Sequence, residues 1–319
     1  MFATRLAVLD LARGLAVFAM AAYHFSWDLS WFGFVDWPVA RGTGWRLFAA
    51  SIAGSFLFLA GVSLDLAHHE TIRWRPFWRR FAVIVAAAAA VSAATYIVFG
   101  DSFVRFGILH CIAASSLIAL PFVRLPIVAG AAAAAFVLTL PAWASSFFFN
   151  GEFWLWTGLG TPSFGSVDYV PLAPWAGVTL AGLTASRIFR NFGIWHRLSG
   201  LRFAHLPGRI TRFLGRHPLP VYLLHQPVLY GLVWAAVLLT PEVDRAGNAF
   251  VRNCTAACDD ALGAARNCEA ICRCTLSQLK EDGIWTPLVE DPANASLRAQ
   301  VDQQYAACLA DPEQAFPVR

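Results

Sequence analysis

Ionisable side chains interrupt several apolar stretches of this sequence. His24 and His110 each lie in such a stretch, and Asp168 with Tyr169 precedes another. A histidine with a carboxylate nearby is the combination of residues that commonly serves general base catalysis near neutral pH. One such histidine is more often a satisfied buried residue than a catalyst. Two at similar depth, with a carboxylate at that level, favour a shared polar cavity, because ionisable groups inside a membrane are costly.

Further charged residues fall in or beside the same stretches. Asp10 and Arg13 are three residues apart, a spacing that pairs them on one helix face. They are either a structural ion pair near the cytoplasmic end of the first span or residues near a ligand. By depth along the predicted spans, we expect His24, Arg105, His110 and Asp168 at the outer leaflet level. We expect His225 in the inner half of the last span.

Composition indicates that lipid, not water, surrounds most of the chain. Of 319 residues, 58% are hydrophobic and 14% are charged, whereas a soluble domain carries roughly a quarter charged residues. A span needs about 20 apolar residues. We predict an all-α polytopic bundle of about seven spans, at residues Leu6–Phe25, Leu47–Leu66, Phe81–Phe99, Phe106–Phe122, Ile127–Ala144, Leu172–Ile188 and Leu219–Leu239.

Charge divides the chain and orients the spans. Residues 1–240 hold 17 Arg and no Lys against eight acids, whereas residues 241–319 hold 12 acids against seven bases. We therefore predict a transmembrane domain at 1–240 and a separate polar tail at 241–319. The loops around 68–80 and 190–216 are rich in arginine, and the loop at 145–169 has no Arg or Lys. The positive-inside rule then predicts a cytoplasmic N-terminus and an extracytoplasmic C-terminus.

The polar tail holds six of the seven cysteines. Two C-x3-C pairs place their sulfurs on one helix face each, so a helical hairpin is expected to pair Cys254 with Cys272 and Cys258 with Cys268. Cys274 and Cys308 are then left over, and the sequence alone does not decide among the roughly 15 pairings that six cysteines allow. A zinc site is the alternative, but it favours tighter C-x2-C spacing. An extracytoplasmic tail favours disulfides, which a small domain with little core needs. We predict no metal.

Small residues punctuate the second span at Gly54, Gly61 and Ser63. They favour close packing between helices, although a wall beside a bound acyl chain or cofactor is the alternative.

Several motifs together resemble the heparan-alpha-glucosaminide N-acetyltransferase catalytic-domain family, including its bacterial members. They cover roughly residues 5 to 235. The run Leu9-Asp10-Leu11-Ala12-Arg13-Gly14 opens the first span, which ends in Tyr23-His24-Phe25. The other matching segments are 54–64, Arg105 to His110, Asp168-Tyr169 with Pro174-Trp175, and Tyr222-Leu223-Leu224-His225-Gln226-Pro227.

The resemblance implies a membrane-bound acyltransferase that uses cytoplasmic acetyl-CoA or another acyl-CoA and an extracytoplasmic sugar or glycan acceptor. It implies a catalytic histidine, for which His24 is the first match and His110 the second, with Asp168 orienting the imidazole or holding the acceptor. Substrate contacts are expected from Asp10, Arg13, Arg105, Tyr169 and His225. CoA phosphates are expected at Arg73, Arg75, Arg79 and Arg80, whose alternative explanation is the positive-inside rule alone.

Two other function classes stay open at this stage. The buried polar residues are also compatible with a small-solute carrier, and the tail with a non-catalytic scaffold that binds an envelope protein. Expected partners are membrane lipid and an amino-sugar or glycan acceptor, with no nucleic acid. The expected location is the bacterial inner membrane, with the C-terminus in the periplasm.

Overall fold

A computed structural model describes residues 6–35, 37–39, 42–161, 165–240, 244–262 and 267–310. The described residues are almost entirely helical and contain no strand, which confirms the all-α prediction. The helices are α1 (Ala7–Trp31), α2 (Thr43–His68), α3 (Trp74–Phe99), α4 (Ile108–Ala119), α5 (Ile127–Ala144), α6 (Leu172–Asn191), α7 (Ile194–Leu198), α8 (Leu206–Arg216), α9 (Pro218–Leu239), α10 (Arg245–Leu262), α11 (Cys268–Glu281), α12 (Trp285–Glu290) and α13 (Ala295–Ala310).

Within the described ranges, five helices are long and apolar enough to cross a membrane: α1, α2, α3, α5 and α9. A sixth apolar helix, Ile108–Val123, is shorter and ends in a 3-10 turn. The remaining predicted span corresponds to α6, which has 20 residues and carries Arg187 and Arg190 near its end. Each predicted span therefore contains a helix, while the number that crosses the membrane stays a prediction.

The chain forms two compact units. One comprises Met1–His24 and Gly42–Val228, and the other comprises Phe25–Arg41 and Leu229–Arg319. The domain boundary predicted at residue 240 stays a prediction, since compactness alone does not define an independent domain.

Helix α6 packs against α2, α4 and α5 in the first unit. Small residues make this possible: a Cβ atom on Gly61 of α2 would lie 1.9 Å from the carbonyl oxygen of Thr179, and one on Gly182 would lie 2.1 Å from that of Phe58. The backbones therefore touch directly, as is common where membrane helices cross. The packing interpretation of the small residues is confirmed at Gly61.

The cysteine-rich part of the second unit is a set of helices joined by three disulfides. Cys254 bonds to Cys272, Cys258 to Cys268, and Cys274 to Cys308, with Cα–Cα distances of 5.8, 5.7 and 5.9 Å. All three predicted pairs are confirmed. The sulfurs pack with Ile271, Tyr305 and Leu309, so the bridges form much of this small core.

Candidate functional site

A cavity of about 810 Å³ opens among α1, α2, α3, α4 and α9 in the first unit. The lining of the cavity changes from charged to apolar along α3, where Arg75, Arg79 and Arg80 are followed within a turn by Val83 and Ile84. The charged and polar lining is Arg13, Ser63, Arg75, Arg79, Arg80 and Tyr222, and the apolar lining is Phe56, Leu59, Ala60, Pro76, Val83, Ile84, Ile108, Leu109, Ile112, Pro218 and Leu219. The arrangement suits a ligand with an anionic group and an extended, less polar arm.

Three of the four arginines predicted to bind CoA phosphates line this cavity. They lie in the first two turns of α3, where successive residues three and four apart share a face. Arg73 does not line it and precedes the helix, with its backbone N–H donating to Nδ1 of His68 at 3.0 Å.

Arg13 is held in the cavity wall by a buried carboxylate. Asp10 is 1% exposed, and its two oxygens lie 3.3 Å from Nη1 of Arg13 and 3.3 Å from Nε of Arg216. Nη2 of Arg13 also donates to Oγ of Ser63 at 2.7 Å. The pair predicted from the three-residue spacing therefore forms, with Arg216 as an additional partner that sequence spacing does not suggest.

His24 and His225 lie together, with ring centroids 4.9 Å apart. The two side chains therefore lie at one level of the bundle, although His24 is expected near the outer end of its span and His225 in the inner half of its own. His225 lies in the first half of α9, and its depth in the membrane stays a prediction.

The hydrogen bond of His225 defines its ring chemistry. Nδ1 lies 2.6 Å from the carbonyl oxygen of Tyr222. Because a carbonyl only accepts, Nδ1 carries the proton of the neutral ring and Nε2 carries the lone pair. Nε2 is buried and has no hydrogen-bond partner among the described residues. In the described part of the chain it is therefore a lone-pair nitrogen without a hydrogen-bond donor, on a ring that lies next to His24.

Tyr222 links the histidine pair to the cavity. Its side chain lines the cavity, and its ring centroid is 5.7 Å from that of His225. It also packs against the apolar cluster that contains Leu57, Ile108 and Cys111. His225 therefore lies next to a residue of the cavity wall, with His24 on its other contact.

Asp168 lies between α5 and α6, outside the spanning helices, and holds the start of α4. Its Oδ2 accepts a hydrogen bond from the backbone N–H of Ile108 at 3.1 Å. Burial raises the pKa of this carboxyl to about 6, and the Ile108 hydrogen bond partly opposes that rise. Ile108 itself lines the cavity, so this carboxyl is bonded to a residue of the cavity wall.

His110 occupies a different environment from His24. The N–H of Gly107 donates to its Nδ1 at 3.3 Å, and its Nε2 lies 3.5 Å from Oγ of Ser92. That hydroxyl donates to the carbonyl of Val104. Both ring nitrogens are therefore engaged in fixing the turn before α4.

The last two predicted substrate contacts lie in the segments before α4 and α6. Arg105 donates to the carbonyl of Asp101 at 2.6 Å and stacks over the ring of Phe103. The hydroxyl of Tyr169 donates to the carbonyl of Leu155 at 2.7 Å. Both side chains therefore tie loops together, and neither lines the cavity.

Sequence reasoning missed a second buried charge. Asp65 of α2 has no exposed surface, and its carboxylate accepts from Nη1 of Arg190 at 2.9 Å and from Oγ of Ser186 at 2.7 Å. Its signal was an acid inside the apolar run of α2, eight residues before Arg73. In the part of the chain that the structure describes, no group of three or more His, Cys, Asp or Glu could hold a metal ion.

The family model described as heparan-alpha-glucosaminide N-acetyltransferase, catalytic, matches residues 5–227. The matched range contains the cavity, both histidines and Asp168, and it ends within α9 before the cysteine-rich helices. No curated protein and no solved structure matches the chain.

Proposed function

Because the chain belongs to the heparan-alpha-glucosaminide N-acetyltransferase catalytic family of membrane acetyltransferases, we propose that its cavity binds an acyl-CoA donor. The acceptor is then an amino or hydroxyl group of a sugar or glycan. The observation that carries the proposal is the lining of the cavity, which passes from arginines to apolar side chains along α3. We propose that the first compact unit, residues Met1–His24 and Gly42–Val228, carries this activity.

The arginine part of the cavity suits the phosphates of CoA. Guanidinium groups bind phosphate oxygens through paired, charge-assisted hydrogen bonds. Arg75, Arg79 and Arg80 face the cavity with Arg13, which Asp10 and Ser63 hold in place. The apolar wall beyond them suits the arm that carries the thioester.

The distance between the arginines of the cavity and the histidine pair fits an extended donor molecule. Arg13 and His24 are 11 residues apart on α1, which corresponds to about 16 Å along the helix axis. Arg13 therefore marks the charged portion of the cavity, and His24 a point about three turns away. A donor bound by its phosphates reaches toward the histidine pair only if its arm is extended.

The chemical step is a single acyl transfer assisted by the histidine pair. The acceptor nitrogen or oxygen attacks the thioester carbonyl carbon, the new C–N or C–O bond forms, and the C–S bond breaks to release the CoA thiolate. The proton of the acceptor passes to a neutral imidazole of His24 or His225, and from there to the thiolate. Asp168 acts as a positioning residue, since it fixes the first turn of α4 beside Tyr222.

We also propose the orientation of the chain in a bacterial inner membrane. The arginine-rich segments around 68–80 and 190–216 support a cytoplasmic N-terminus and a donor that enters from the cytoplasm. The three disulfides support an oxidising, periplasmic location for the cysteine-rich helices, where an envelope protein is a further proposed partner.

Binding of acetyl-CoA by the full-length protein in detergent micelles tests the donor site. Arg79→Gln should weaken binding about tenfold, because a charge-assisted hydrogen bond contributes roughly 1.5–3 kcal/mol. Arg197→Gln is the matched control, since Arg197 is exposed and lies outside the cavity lining. Absence of acetyl-CoA binding by the unaltered protein, or equal affinity in both variants, would remove the donor from this cavity.

A further inference from the structure

Helix α8 presents an exposed apolar stripe. Leu206, Ile210 and Phe213 are 67%, 54% and 61% exposed. Their spacing of four and three residues places them on one face of the helix. The N-terminus of the helix is capped, because Nδ1 of His205 accepts a hydrogen bond from the backbone N–H of Gly208 at 3.0 Å.

The opposite face of α8 is fixed against α1. A Cβ atom on Gly215 would lie 1.7 Å from the carbonyl oxygen of Asp10, and one on Gly14 would lie 1.8 Å from that of Thr211. Thr211 and Gly215 are four residues apart and share a face. About half a turn separates this face from the stripe, so contact with α1 makes the stripe point away from it.

Arginines flank the apolar stripe on one side. Arg209, Arg212 and Arg216 share a helix face, and Arg216 also pairs with Asp10. Arg212 donates to the carbonyl of Arg202, while the side chain of Arg209 is exposed and makes no hydrogen bond or ion pair within the described residues. From residue 169 to residue 241 the sequence has seven arginines and no Asp or Glu. This positive field favours an anionic surface.

Helix α8 lies beside the ends of two candidate spans. It ends at Arg216 and only His217 separates it from α9, a candidate span. It packs on the first turns of α1, another candidate span. A helix between two span termini, with an apolar face and a basic flank, has the features of one that lies in the lipid interface.

We propose that α8 is an interfacial helix that binds anionic phospholipid. Leu206, Ile210 and Phe213 insert below the headgroups, and Arg209 and Arg212 bind the headgroup phosphates. Electrostatic attraction and burial of apolar side chains then act on the same helix. The proposal does not depend on acyl transfer, because lipid binding needs neither donor nor acceptor.

Photo-crosslinking in vesicles tests the stripe. The full-length protein carrying Phe213→benzoylphenylalanine is reconstituted in vesicles of equal parts phosphatidylglycerol and phosphatidylcholine. After irradiation, the mass of the protein is measured by mass spectrometry. A phospholipid adduct is expected. The same replacement at Trp195, which is buried, should give no lipid adduct. Lack of an adduct at position 213, or an adduct with a second protein chain, would overturn the proposal.

The masses of the adducts test the headgroup preference. Phosphatidylglycerol adducts should outnumber phosphatidylcholine adducts at least twofold, and Arg209→Gln should reduce that excess. Arg298→Gln, an exposed change on α13, should leave it unchanged. Equal capture of the two lipids by the protein with Arg209 intact would overturn the anionic preference.

Discussion

At the scale of residues, hydrogen bonds separate histidines that look alike in the sequence. His110 has both ring nitrogens engaged by Gly107 and Ser92, whereas Nε2 of His225 is buried without a hydrogen-bond partner in the described ranges. Sequence reasoning found all three histidines, and it put His24 before His110 only through the family resemblance. The contact between His24 and His225 depends on how α1 and α9 pack side by side, which apolar content alone does not determine.

Replacement of each histidine tests this ranking. His24→Ala and His225→Ala should each lower acetyl transfer from acetyl-CoA to glucosamine by about 100-fold or more, because general base catalysis contributes roughly 10²–10⁴-fold. His110→Ala should retain transfer and lower the melting temperature, since it removes two hydrogen bonds before α4. Acetyl-CoA binding serves as the folding control. Full transfer in both His24→Ala and His225→Ala would contradict the assignment.

Asp168 should make stability depend on pH in a particular direction. Its folded-state pKa is raised from 3.8 to about 6, so its contribution to stability is complete below about pH 4 and declines as pH rises through about 6. The melting temperature of the unaltered protein should therefore fall by a few degrees, relative to Asp168→Asn, between pH 5 and pH 7.5. Parallel melting curves for the two proteins over that range would contradict the burial of this carboxyl.

At the scale of elements, helix positions were largely predictable and helix contacts were not. Every predicted span contains a helix because long apolar runs leave few alternatives to a helix in lipid. Helix α1 continues for six residues beyond the predicted span, to Trp31, and Gly33 with a φ of 72° follows its end. The pairing of Asp65 with Arg190 needs two helices in register, and one sequence does not give that register.

The contact between α2 and α6 should tolerate no side chain at Gly61. Gly61→Ala should destabilise the protein by about 1–3 kcal/mol, because its Cβ would meet the backbone of Thr179 and the helices must separate. Gly44→Ala, at the start of the same helix with open space around it, is the control and should be neutral or slightly stabilising. Thermal melts in one detergent compare the two. Equal melting temperatures would argue against direct backbone contact.

At the scale of the whole molecule, amino-acid composition alone distinguishes an apolar, basic region at residues 1–240 from a polar, acidic region at residues 241–319. The cysteine pairs followed from helix periodicity, because C-x3-C places two sulfurs on one face of each helix. The third bridge followed only by elimination. The cavity could not be predicted in this way, since its lining comes from five helices that are distant in sequence.

The bridge between Cys274 and Cys308 should matter most among the three. It closes 34 residues, for which the chain-entropy relation gives about 4 kcal/mol of stabilisation. Cys274→Ser with Cys308→Ser should make α13 sensitive to limited proteolysis, read by the mass of the released fragments. Transfer of acetyl groups by the first unit provides the folding control. A digestion pattern identical to that of the unaltered protein would contradict this role.

The other two bridges are nested, since Cys258–Cys268 closes its loop inside the loop of Cys254–Cys272. Once the outer bond has formed, the inner cysteines are confined to a short segment and meet often. Once the inner bond has formed, the outer pair is brought close in turn. Each bond therefore makes the other easier to form, in whichever order the two pairs oxidise. Loss of one nested bond leaves most of the constraint in place, whereas the isolated bridge has no such substitute.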